Sequence, residues 1–273
     1  MTNQSNNKPQ ESRLQRRLWR LKNSINKRLP WVDHNARVSV FEQLQNKVRI
    51  RQTGCVRCHG NLFDLQHPRM TDEFKASLMK GTYECREIDM RDHYVSENDR
   101  VVELGVCIGA TSMFLYDRVG KDNLVVFEAD PRNLEMALHN FKLNDKHINC
   151  VNAILWSGGD RPETVSFGSN ENPASSSLLE RKGSEVSFDV ETKDLETALQ
   201  DHHATVLVLD IEGGEIDLFN KAGDLPGLRT IIMEAHERIV GKDVNEDMLE
   251  RLKARGFQIA ENRLNKYVVL TRP

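Results

Sequence analysis

The stretch DRVVELGVCIGATSMFLYDRVGKDNLVVFEADP, residues 99–131, decides the fold of the chain. A short apolar strand runs into a turn at residues 103–109, a helical segment follows, and a second apolar strand ends at the acidic Glu128. Strand, glycine turn, helix, strand and acid in this order are typical of a nucleotide-binding βαβ unit. The stretch therefore predicts an α/β fold with a cofactor site at the turn.

The glycine spacing in this turn narrows the choice of cofactor. Gly105 and Gly109 are separated by three residues, and Glu103 lies two residues before the first glycine. A dinucleotide loop has the pattern Gly-x-Gly-x-x-Gly and packs under a pyrophosphate, whereas this loop lacks the middle glycine and offers a carboxylate. A cofactor with no phosphate and with positive sulfonium and ammonium groups fits better, so we predict S-adenosylmethionine. Glu103 would receive the ammonium directly or through water, and the glycines would let the backbone pass close to the methionine part.

From residue 99 onward, the alternation of strands and helices predicts a mostly parallel sheet with helices on both faces. We predict seven strands, at Val101–Leu104, Leu124–Glu128, Asn149–Asn152, 206–210, Thr230–Glu234, 257–261 and 267–270. A short polar loop joins the last two, so the final strand should be antiparallel to its neighbour. Seven strands ending in a hairpin differ from the six-stranded dehydrogenase sheet and match the common methyltransferase sheet.

We divide the chain into a basic tail and helix at residues 1–32, an α+β lead-in at 33–98, and a cofactor-binding domain at 99–273. In the tail, residues 13–29 place leucine and isoleucine at helical spacing opposite a basic face. Such a helix either packs on its own domain or contacts a membrane surface or a partner protein. Both interpretations stay open from the sequence.

The lead-in and one insertion have weaker patterns. In the lead-in, we predict strands at 41–50 and 62–65, then a helix at 72–79 and a second helix after it. Residues 157–185 are rich in Gly, Ser, Asn and Pro and read as a long insertion with a short strand near 164–167. Long irregular segments in compact domains are often lids or binding loops, so we expect this insertion to close over the substrate.

Charge and composition limit the partners and the compartment. The chain has net charge -3, and residues 1–32 carry eight Lys or Arg and one acid, a net +7 that leaves -10 for the remainder. An acidic body argues against a nucleic-acid substrate. Five cysteines, a polar N-terminus and no apolar run of about 20 residues predict a cytoplasmic protein. Contact with a membrane surface remains an alternative, and the sequence does not indicate the oligomeric state.

Two sites downstream of the turn complete the predicted cofactor pocket. Glu128 ends the second strand, where an acceptor-only carboxylate can receive both hydroxyls of a ribose. Ala153 follows the third strand, beside the expected position of the adenine. Trp156 could stack on that ring, although a lone tryptophan beside a strand is more often part of the core.

A second apolar strand delivers the candidate catalytic groups. Asp210, Glu212 and Glu215 follow it within six residues, and Glu234 and His236 follow the next strand. Because the carboxyl ends of parallel strands meet at one edge, these groups should lie together, where carboxylates raise one another's pKa. We predict Asp210, Glu212 and His236 as catalytic, Asp210 also near the cofactor, and Glu215 and Glu234 as substrate contacts. Such oxygens suit Mg²⁺ or Ca²⁺, but a divalent metal is not favoured over a metal-free site.

The sequence Cys55-Val56-Arg57-Cys58-His59 has the letters of covalent haem attachment. That chemistry belongs to exported proteins, and no second cysteine pair lies at the spacing of a zinc finger. We therefore favour a surface hairpin with free thiols, with a zinc or haem protein as an alternative.

Together these motifs resemble the FkbM family of S-adenosylmethionine-dependent methyltransferases. The resemblance covers about residues 81–240 and rests on VVELGVCIGATS, VVFEADPRNLEMALHNFKLN, VLVLDIEGGEIDLF and IIMEAHE. Its most specific piece is Asp210-x-Glu212-Gly213-x-Glu215, and Gly81-Thr82-Tyr83-Glu84 is similar to the family's lead-in to the first strand. The serine cluster around Ser176 is also similar, which implies a substrate contact for Ser176. Cys107 and Ala129 depart from the usual Asn and Pro.

The resemblance implies a Rossmann-like class I methyltransferase sheet and O-methylation of sugars or other natural-product hydroxyls. We therefore predict methyl transfer to a hydroxyl of a glycan, lipid-linked sugar or small metabolite. The alternative from another class is a catalytically silent protein that binds the cofactor and docks a partner or membrane through residues 13–29.

Overall fold

The computed structural model describes residues 38–169 and 186–273, so the predicted helix at 13–29 lies outside the described residues. The described lead-in contains three helices and one hairpin. In chain order these are α1 (Val40–Thr53), β1 (Cys55–Cys58), β2 (Asn61–Asp64), α2 (Asp72–Lys80) and α3 (Cys85–Tyr94). The predicted strand at 62–65 and both predicted helices are therefore confirmed.

The predicted strand at 41–50 is wrong, because these residues form helix α1. Signals for the helix flank the segment: the Ser39 hydroxyl accepts a hydrogen bond from the Glu42 N–H at 3.2 Å, and Gly54 ends the helix with φ of 75°. Apolar residues at 41, 44 and 48 follow the helical period, but they point to solvent. A polar residue anchors the helix instead, since the Asn46 amide exchanges two 2.9 Å hydrogen bonds with the backbone of Arg57 in the hairpin.

The main sheet has the seven predicted strands. They are β3 (Val101–Leu104), β4 (Leu124–Glu128), β5 (Asn149–Asn152), β9 (Val206–Leu209), β10 (Thr230–Glu234), β11 (Gln258–Arg263) and β12 (Tyr267–Thr271). Their order is β11-β12-β10-β9-β3-β4-β5. Strands β5, β4, β3, β9 and β10 run parallel, while β12 is antiparallel to both β10 and β11. The predicted α/β class, strand count and closing hairpin are all confirmed.

Helices connect these strands and cover both faces of the sheet. They are α4 (Ala110–Val119), α5 (Pro131–Leu143), α6 (Leu195–Asp201), α7 (Glu215–Lys221), α8 (Glu237–Val240) and α9 (Lys242–Ala254). Because alternate residues of each strand point to opposite faces, β9 divides its apolar side chains between two cores. Val206 and Val208 pack with Met113 and Phe141 on one side, and Leu207 packs with residues such as Phe219 on the other. Burial on both faces explains the continuous apolar runs in the sequence.

A smaller sheet lies beside the main one. It is formed by β6 (Ile154–Trp156), β7 (Thr164–Ser169) and β8 (Val186–Asp194), in the order β6-β8-β7. The sequence pattern predicts only β7. Strand β8 is not predicted although Val186, Phe188 and Val190 alternate with polar residues, because this short period-2 pattern directly follows the polar insertion. In the described ranges, no helix is long and apolar enough to cross a membrane.

The amino ends of three central strands are joined by one carboxylate. Asp99, just before β3, accepts hydrogen bonds from the Thr205 hydroxyl at 2.7 Å and from Nε of Arg229 at 3.0 Å. Thr205 precedes β9 and Arg229 precedes β10. Burial alone would raise the pKa of Asp99, but Arg229, the Ser96 N–H and Thr205 together outweigh it, so the pKa lies below its usual value. Asp99 therefore ties β3, β9 and β10 together at the edge opposite the predicted site.

We expect Asp99→Asn to lower the free energy of unfolding by about 1–3 kcal/mol at pH 7, because Arg229 loses its charged partner. Since the folded pKa is the lower one, this stabilisation is present above the unfolded pKa of about 3.9 and is lost as pH falls further. Urea unfolding at pH 7 and at pH 3.5 measures both effects. The exposed Asp122→Asn is the control, and equal losses in the two variants at pH 7 would contradict the assignment.

Candidate active site

A cavity of about 490 Å³ opens at the carboxyl edge of the main sheet. Its size is in the range of small-molecule and cofactor pockets. The predicted site residues that line it are Gly105, Glu128, Ala153, Asp210, Glu212 and Glu234. They come from the ends of β3, β4, β9 and β10 and from the link between β5 and β6, so the structure brings together most of the residues that the sequence predicts.

The two glycines of the turn are required by packing beneath the cavity. Both have positive φ, 85° at Gly105 and 84° at Gly109. A Cβ atom at Gly105 would lie 2.2 Å from the carbonyl oxygen of Asp210, and one at Gly109 would lie 2.4 Å from the Phe141 ring. The turn thus needs glycine because β9 and α5 press against it, a constraint that the cofactor argument from the sequence does not contain.

Glu103 lies under the turn and does not line the cavity. Its side chain is fully buried and accepts a 2.7 Å hydrogen bond from the Thr111 hydroxyl at the start of α4. Burial raises the pKa of Glu103. Glu103 therefore does not reach the cavity to bind the cofactor's ammonium group directly. A contact through water stays a prediction.

Glu128 faces the cavity, but its carboxylate already organises the turn. The N–H groups of Val106 and Cys107 donate to Oε2 at 2.8 and 3.2 Å, and the Asp130 N–H donates to Oε1 at 2.8 Å. Burial raises the pKa of Glu128, and these three donors counteract the effect. An ionised carboxylate has about four acceptor positions. Because three are occupied, one is left for a ribose hydroxyl, whereas the sequence predicts that Glu128 receives both hydroxyls.

Glu84, a residue without a predicted role, supplies a free carboxylate oxygen to the cavity. It precedes helix α3 in the left-handed region, with φ of 46°, which is costly for a residue other than glycine. Its Oε2 atom is buried and has no hydrogen-bond partner within residues 38–169 and 186–273. Burial, reinforced by Glu87, raises the pKa of Glu84 to about 8. The signal for it in the sequence is the motif at residues 81–84, which also resembles the family's lead-in.

Arg91, also without a predicted role, brings unpaired donors to the same cavity. It lies on α3, is 4% exposed and lines the cavity wall. Its Nε and Nη1 atoms are buried and have no hydrogen-bond partner in the part of the chain that the structure describes. Nothing in the surrounding helical sequence distinguishes this arginine from a surface residue, so only the fold reveals it. Glu84 and Arg91 together present one free acceptor and one free donor group.

His236 is the centre of the predicted acid cluster. Its Nδ1 lies 3.1 Å from Oε1 of the fully buried Glu215, and the same oxygen accepts the His236 N–H at 3.0 Å. On the other side of the ring, Nε2 lies 3.5 Å from Oδ1 of Asp210, 3.6 Å from Oε1 of Glu212 and 3.5 Å from Oε1 of Glu234. The predicted cluster at the end of β9 and β10 is therefore present, with Glu215 behind the histidine and away from the cavity.

The cluster shifts the acidity of its members. Burial raises the pKa of Asp210 to about 7, and Glu234 adds to that shift. Burial alone would lower the pKa of His236, but contacts with Glu212, Glu215 and Asp210 outweigh it and raise the pKa to about 10. Glu234 also has a raised pKa from burial, opposed by its pairing with Lys266. Asp210 thus changes its protonation near neutral pH.

Of two further residues considered in the sequence analysis, the structure describes Trp156 but not Ser176. Trp156 lines the cavity, and the Lys221 ammonium lies 4.8 Å from the centre of its ring on β6. Ser176 lies outside the described residues, as does most of the predicted lid.

The cysteine motif forms the predicted hairpin, β1 and β2, but Cys55 and Cys58 are buried instead of lying at the surface. Both are free thiols, and burial raises the pKa of Cys58 to about 12. Nε2 of His59 lies 2.7 Å from the Tyr83 carbonyl oxygen. Over residues 38–169 and 186–273, the groups of three or more potential metal ligands do not include this motif.

Comparison with known proteins identifies one family. The Methyltransferase FkbM domain family matches residues 103–259, more than half of the chain. No curated protein matches the chain. The match runs from β3 to β11 and includes the glycine turn and the acid cluster.

Similar solved structures include a protein of the NADB-Rossmann superfamily from Streptococcus agalactiae, with 16% identity, 68% of each chain covered and a TM-score of 0.41. Fibrillarin from Aeropyrum pernix, in complex with natively bound S-adenosyl-L-methionine, has 14% identity over 79% of this chain and 80% of that one, with a TM-score of 0.37. A precorrin-6y C5,15-methyltransferase from Geobacter metallireducens has 13% identity over 70% and 89%, with a TM-score of 0.41.

We expect Glu84→Gln to stabilise the ligand-free protein at alkaline pH. Because the folded pKa of Glu84, about 8, exceeds the unfolded value, stability is lost as pH rises from about 4.3 through 8. The variant removes that loss and should be more stable than the parent by about 1–3 kcal/mol at pH 8.5, with little difference at pH 4.5. Urea unfolding at both pH values measures the change.

The exposed Glu97→Gln is the matched control, since it removes a carboxylate without changing a buried group. If Glu84→Gln is no more stable than the parent at pH 8.5, the ionised carboxylate of Glu84 costs no stability, and the prediction is wrong.

Proposed function

Because the chain belongs to the FkbM methyltransferase family, we propose that it transfers a methyl group from S-adenosylmethionine to a hydroxyl of a glycan, lipid-linked sugar or small metabolite. The cofactor supplies an electrophilic methyl group on a positively charged sulfur. The observation that carries the proposal is the position of Asp210, whose carboxylate lines the cavity and whose backbone touches the glycine turn. A proton acceptor thus lies next to the expected seat of the methyl donor.

The unpaired polar atoms of the cavity fit the cofactor. The methionine part carries one ammonium and one carboxylate group, and the cavity presents Oε2 of Glu84 and the Nε and Nη1 donors of Arg91 without partners. Charge-assisted hydrogen bonds to such groups are stronger than neutral ones. Glu128 keeps one acceptor position for a ribose hydroxyl. The small side chain of Ala153 leaves room for the adenine. These residues would hold the cofactor, and Glu103 would stiffen the turn from below.

Hydroxyl chemistry is supported by the acid cluster. A hydroxyl is a weak nucleophile, so a base that removes its proton as the new bond forms accelerates the reaction, typically 10²–10⁴-fold. A base is most useful when its pKa lies near the working pH, and the pKa of Asp210 is raised to about 7. Asp210 would accept the proton, with Nε2 of His236 3.5 Å from its Oδ1 atom and with Glu212 helping to keep its pKa raised. Alignment of acceptor and donor in the cavity would supply much of the remaining acceleration.

The charge of the cavity favours a neutral acceptor. Glu84, Glu87, Asp210, Glu212 and Glu234 line it, together with basic residues that include Arg91, Lys221 and Lys266. Excess negative charge attracts a cationic cofactor and repels phosphate groups. Sugars and other polyhydroxylated molecules offer hydroxyls without that charge, which supports such acceptors over nucleic acid.

We expect Asp210→Asn to lower turnover by about 100-fold or more while the dissociation constant for S-adenosylmethionine changes by less than about 10-fold. Asparagine keeps the size and the backbone contact with Gly105 but removes the proton acceptor. Calorimetric titration gives the affinity, and transfer of labelled methyl to a panel of sugar, lipid-linked sugar and phenolic acceptors gives the turnover. Asp243→Asn, an exposed change on α9, is the control.

Two results would contradict this role. Loss of cofactor binding in Asp210→Asn would place Asp210 in the cofactor site, and full turnover would exclude it as the base. Methylation of nitrogen or carbon acceptors alone by the parent protein would overturn the hydroxyl proposal.

A further inference from the structure

One side of the His236 ring is fixed by a buried carboxylate. Glu215 is fully buried, and both of its oxygens are used: Oε1 faces the N–H and Nδ1 of His236, and Oε2 accepts the Gly213 N–H at 2.9 Å. An acceptor next to Nδ1 selects the tautomer that carries its proton there. Glu215 therefore orients the ring with Nε2 towards Asp210, Glu212 and Glu234. Because the pKa of His236 is raised to about 10, a cation that binds Nε2 displaces the proton held there. Histidines that bind metals are held by a carboxylate in this way.

The other side of the ring has no hydrogen-bond partner. His236 is 8% exposed, and its Nε2 and Oδ1 of Asp210 are both buried atoms without a hydrogen bond among the described residues. The oxygens of Asp210, Glu212 and Glu234 around Nε2 lie at 3.5–3.6 Å, beyond the usual hydrogen-bond range. A buried nitrogen that faces three carboxylates at this distance is left unsatisfied, which is costly.

These separations are slightly longer than those of ligands that share one ion. Two ligands that each lie about 2.1 Å from a cation are about 3.0 Å apart at a right angle and about 3.4 Å apart in a tetrahedron. One ligand atom each from Asp210, Glu212 and His236 lies within 4.8 Å of the other two. Only small side-chain movements would bring all three onto one ion.

We propose that Asp210, Glu212 and His236 form a binding site for one divalent cation, Mn²⁺, in the cavity. The proposal concerns the site to which the proposed function assigns the methyl acceptor, and it changes the preference for a metal-free site that follows from the sequence. Glu234 is paired with Lys266, so it lies outside the three ligands and adds negative charge. Three protein ligands leave positions open on the cavity side, where an acceptor hydroxyl can bind.

The mixture of ligands selects the ion. Oxygen ligands suit Mg²⁺, Ca²⁺ and Mn²⁺, whereas imidazole suits later transition metals. Mn²⁺ accepts carboxylates and binds a nitrogen ligand more tightly than Mg²⁺ does. The surrounding charge also favours a dication, because four carboxylates, those of Asp210, Glu212, Glu215 and Glu234, lie around one ring.

The test is a titration of the full-length, metal-stripped protein with MnCl₂, followed by calorimetry and by loss of the free Mn²⁺ paramagnetic resonance signal. We expect one bound ion per chain. Asp210→Asn replaces a charged ligand with a neutral amide oxygen, and His236→Gln removes the imidazole nitrogen. Each should weaken binding more than the 10–100-fold that is typical for loss of a supporting partner. Glu215→Gln, which only orients the ring, should weaken it by about 10–100-fold. Parallel titrations with MgCl₂, CaCl₂ and ZnCl₂ rank the ions.

Asp217→Asn is the matched control, because Asp217 lines the same cavity but does not belong to the cluster. It should change Mn²⁺ affinity by less than about 3-fold, which separates ligation from general charge attraction. Circular dichroism and binding of S-adenosylmethionine establish that each variant is folded. If His236→Gln does not fold, Asp210→Asn decides the question alone.

The proposal is overturned if the parent protein binds no Mn²⁺, or if Asp210→Asn binds it as tightly as Asp217→Asn does. Methyl transfer that continues at full rate in excess EDTA, with no Mn²⁺ bound in the titration, overturns the cation site and leaves the proposed function standing. Mn²⁺ binding that requires Asp210 and His236, without methyl transfer to any hydroxyl acceptor, supports the cation site and overturns only the hydroxyl chemistry.

Discussion

The contact between Gly105 and the backbone of Asp210 joins the two halves of the site. The carbonyl oxygen of Asp210 occupies the space that a side chain at residue 105 would need, and the Asp210 N–H donates to the Leu104 carbonyl at 3.1 Å. The end of β9 is therefore fixed directly against the turn after β3. Since the cofactor turn and the acid cluster share this contact, their relative position depends on backbone packing and not on flexible side chains.

Around this contact several ionisable side chains are buried, among them Glu128, Glu215 and His236. Buried carboxylates are costly unless they are paired, hydrogen-bonded or protonated. Glu128 and Glu215 are satisfied by backbone N–H groups, and these two organise neighbouring groups. Among the described residues, eleven buried polar side-chain atoms have no hydrogen-bond partner, and five of them belong to Glu84, Arg91, Ser157 and Asp210, which line the cavity. A ligand that enters the cavity can satisfy these five atoms.

Much of this architecture follows from local sequence. The apolar strands, the glycine spacing and the acids at strand ends predict the seven-stranded sheet and place Glu128, Asp210, Glu212 and His236 at one edge, because strand direction alone decides which residues meet there. The sequence already contains the signals of helix α1, which are apolar residues at helical spacing between the caps Ser39 and Gly54, so the strand predicted there neglects local information. Arg91 could not be found, since its role depends on how α3 packs across the sheet. The free oxygen of Glu84 likewise depends on a left-handed backbone at the start of α3.

The carboxylate of Asp99 lies at the amino ends of β3, β9 and β10, whereas every group of the proposed chemistry lies at or beyond their carboxyl ends. Strands of only four or five residues keep these two regions apart, and the layer between them is apolar except for Glu103 in β3. Substitutions that change the acceptor pocket therefore do not alter the hydrogen bonds of Asp99 with Thr205 and Arg229 at the amino ends of the strands. In evolutionary terms, such a chain can acquire new substrates by changing loops at one edge while selection for folding acts mainly on the other.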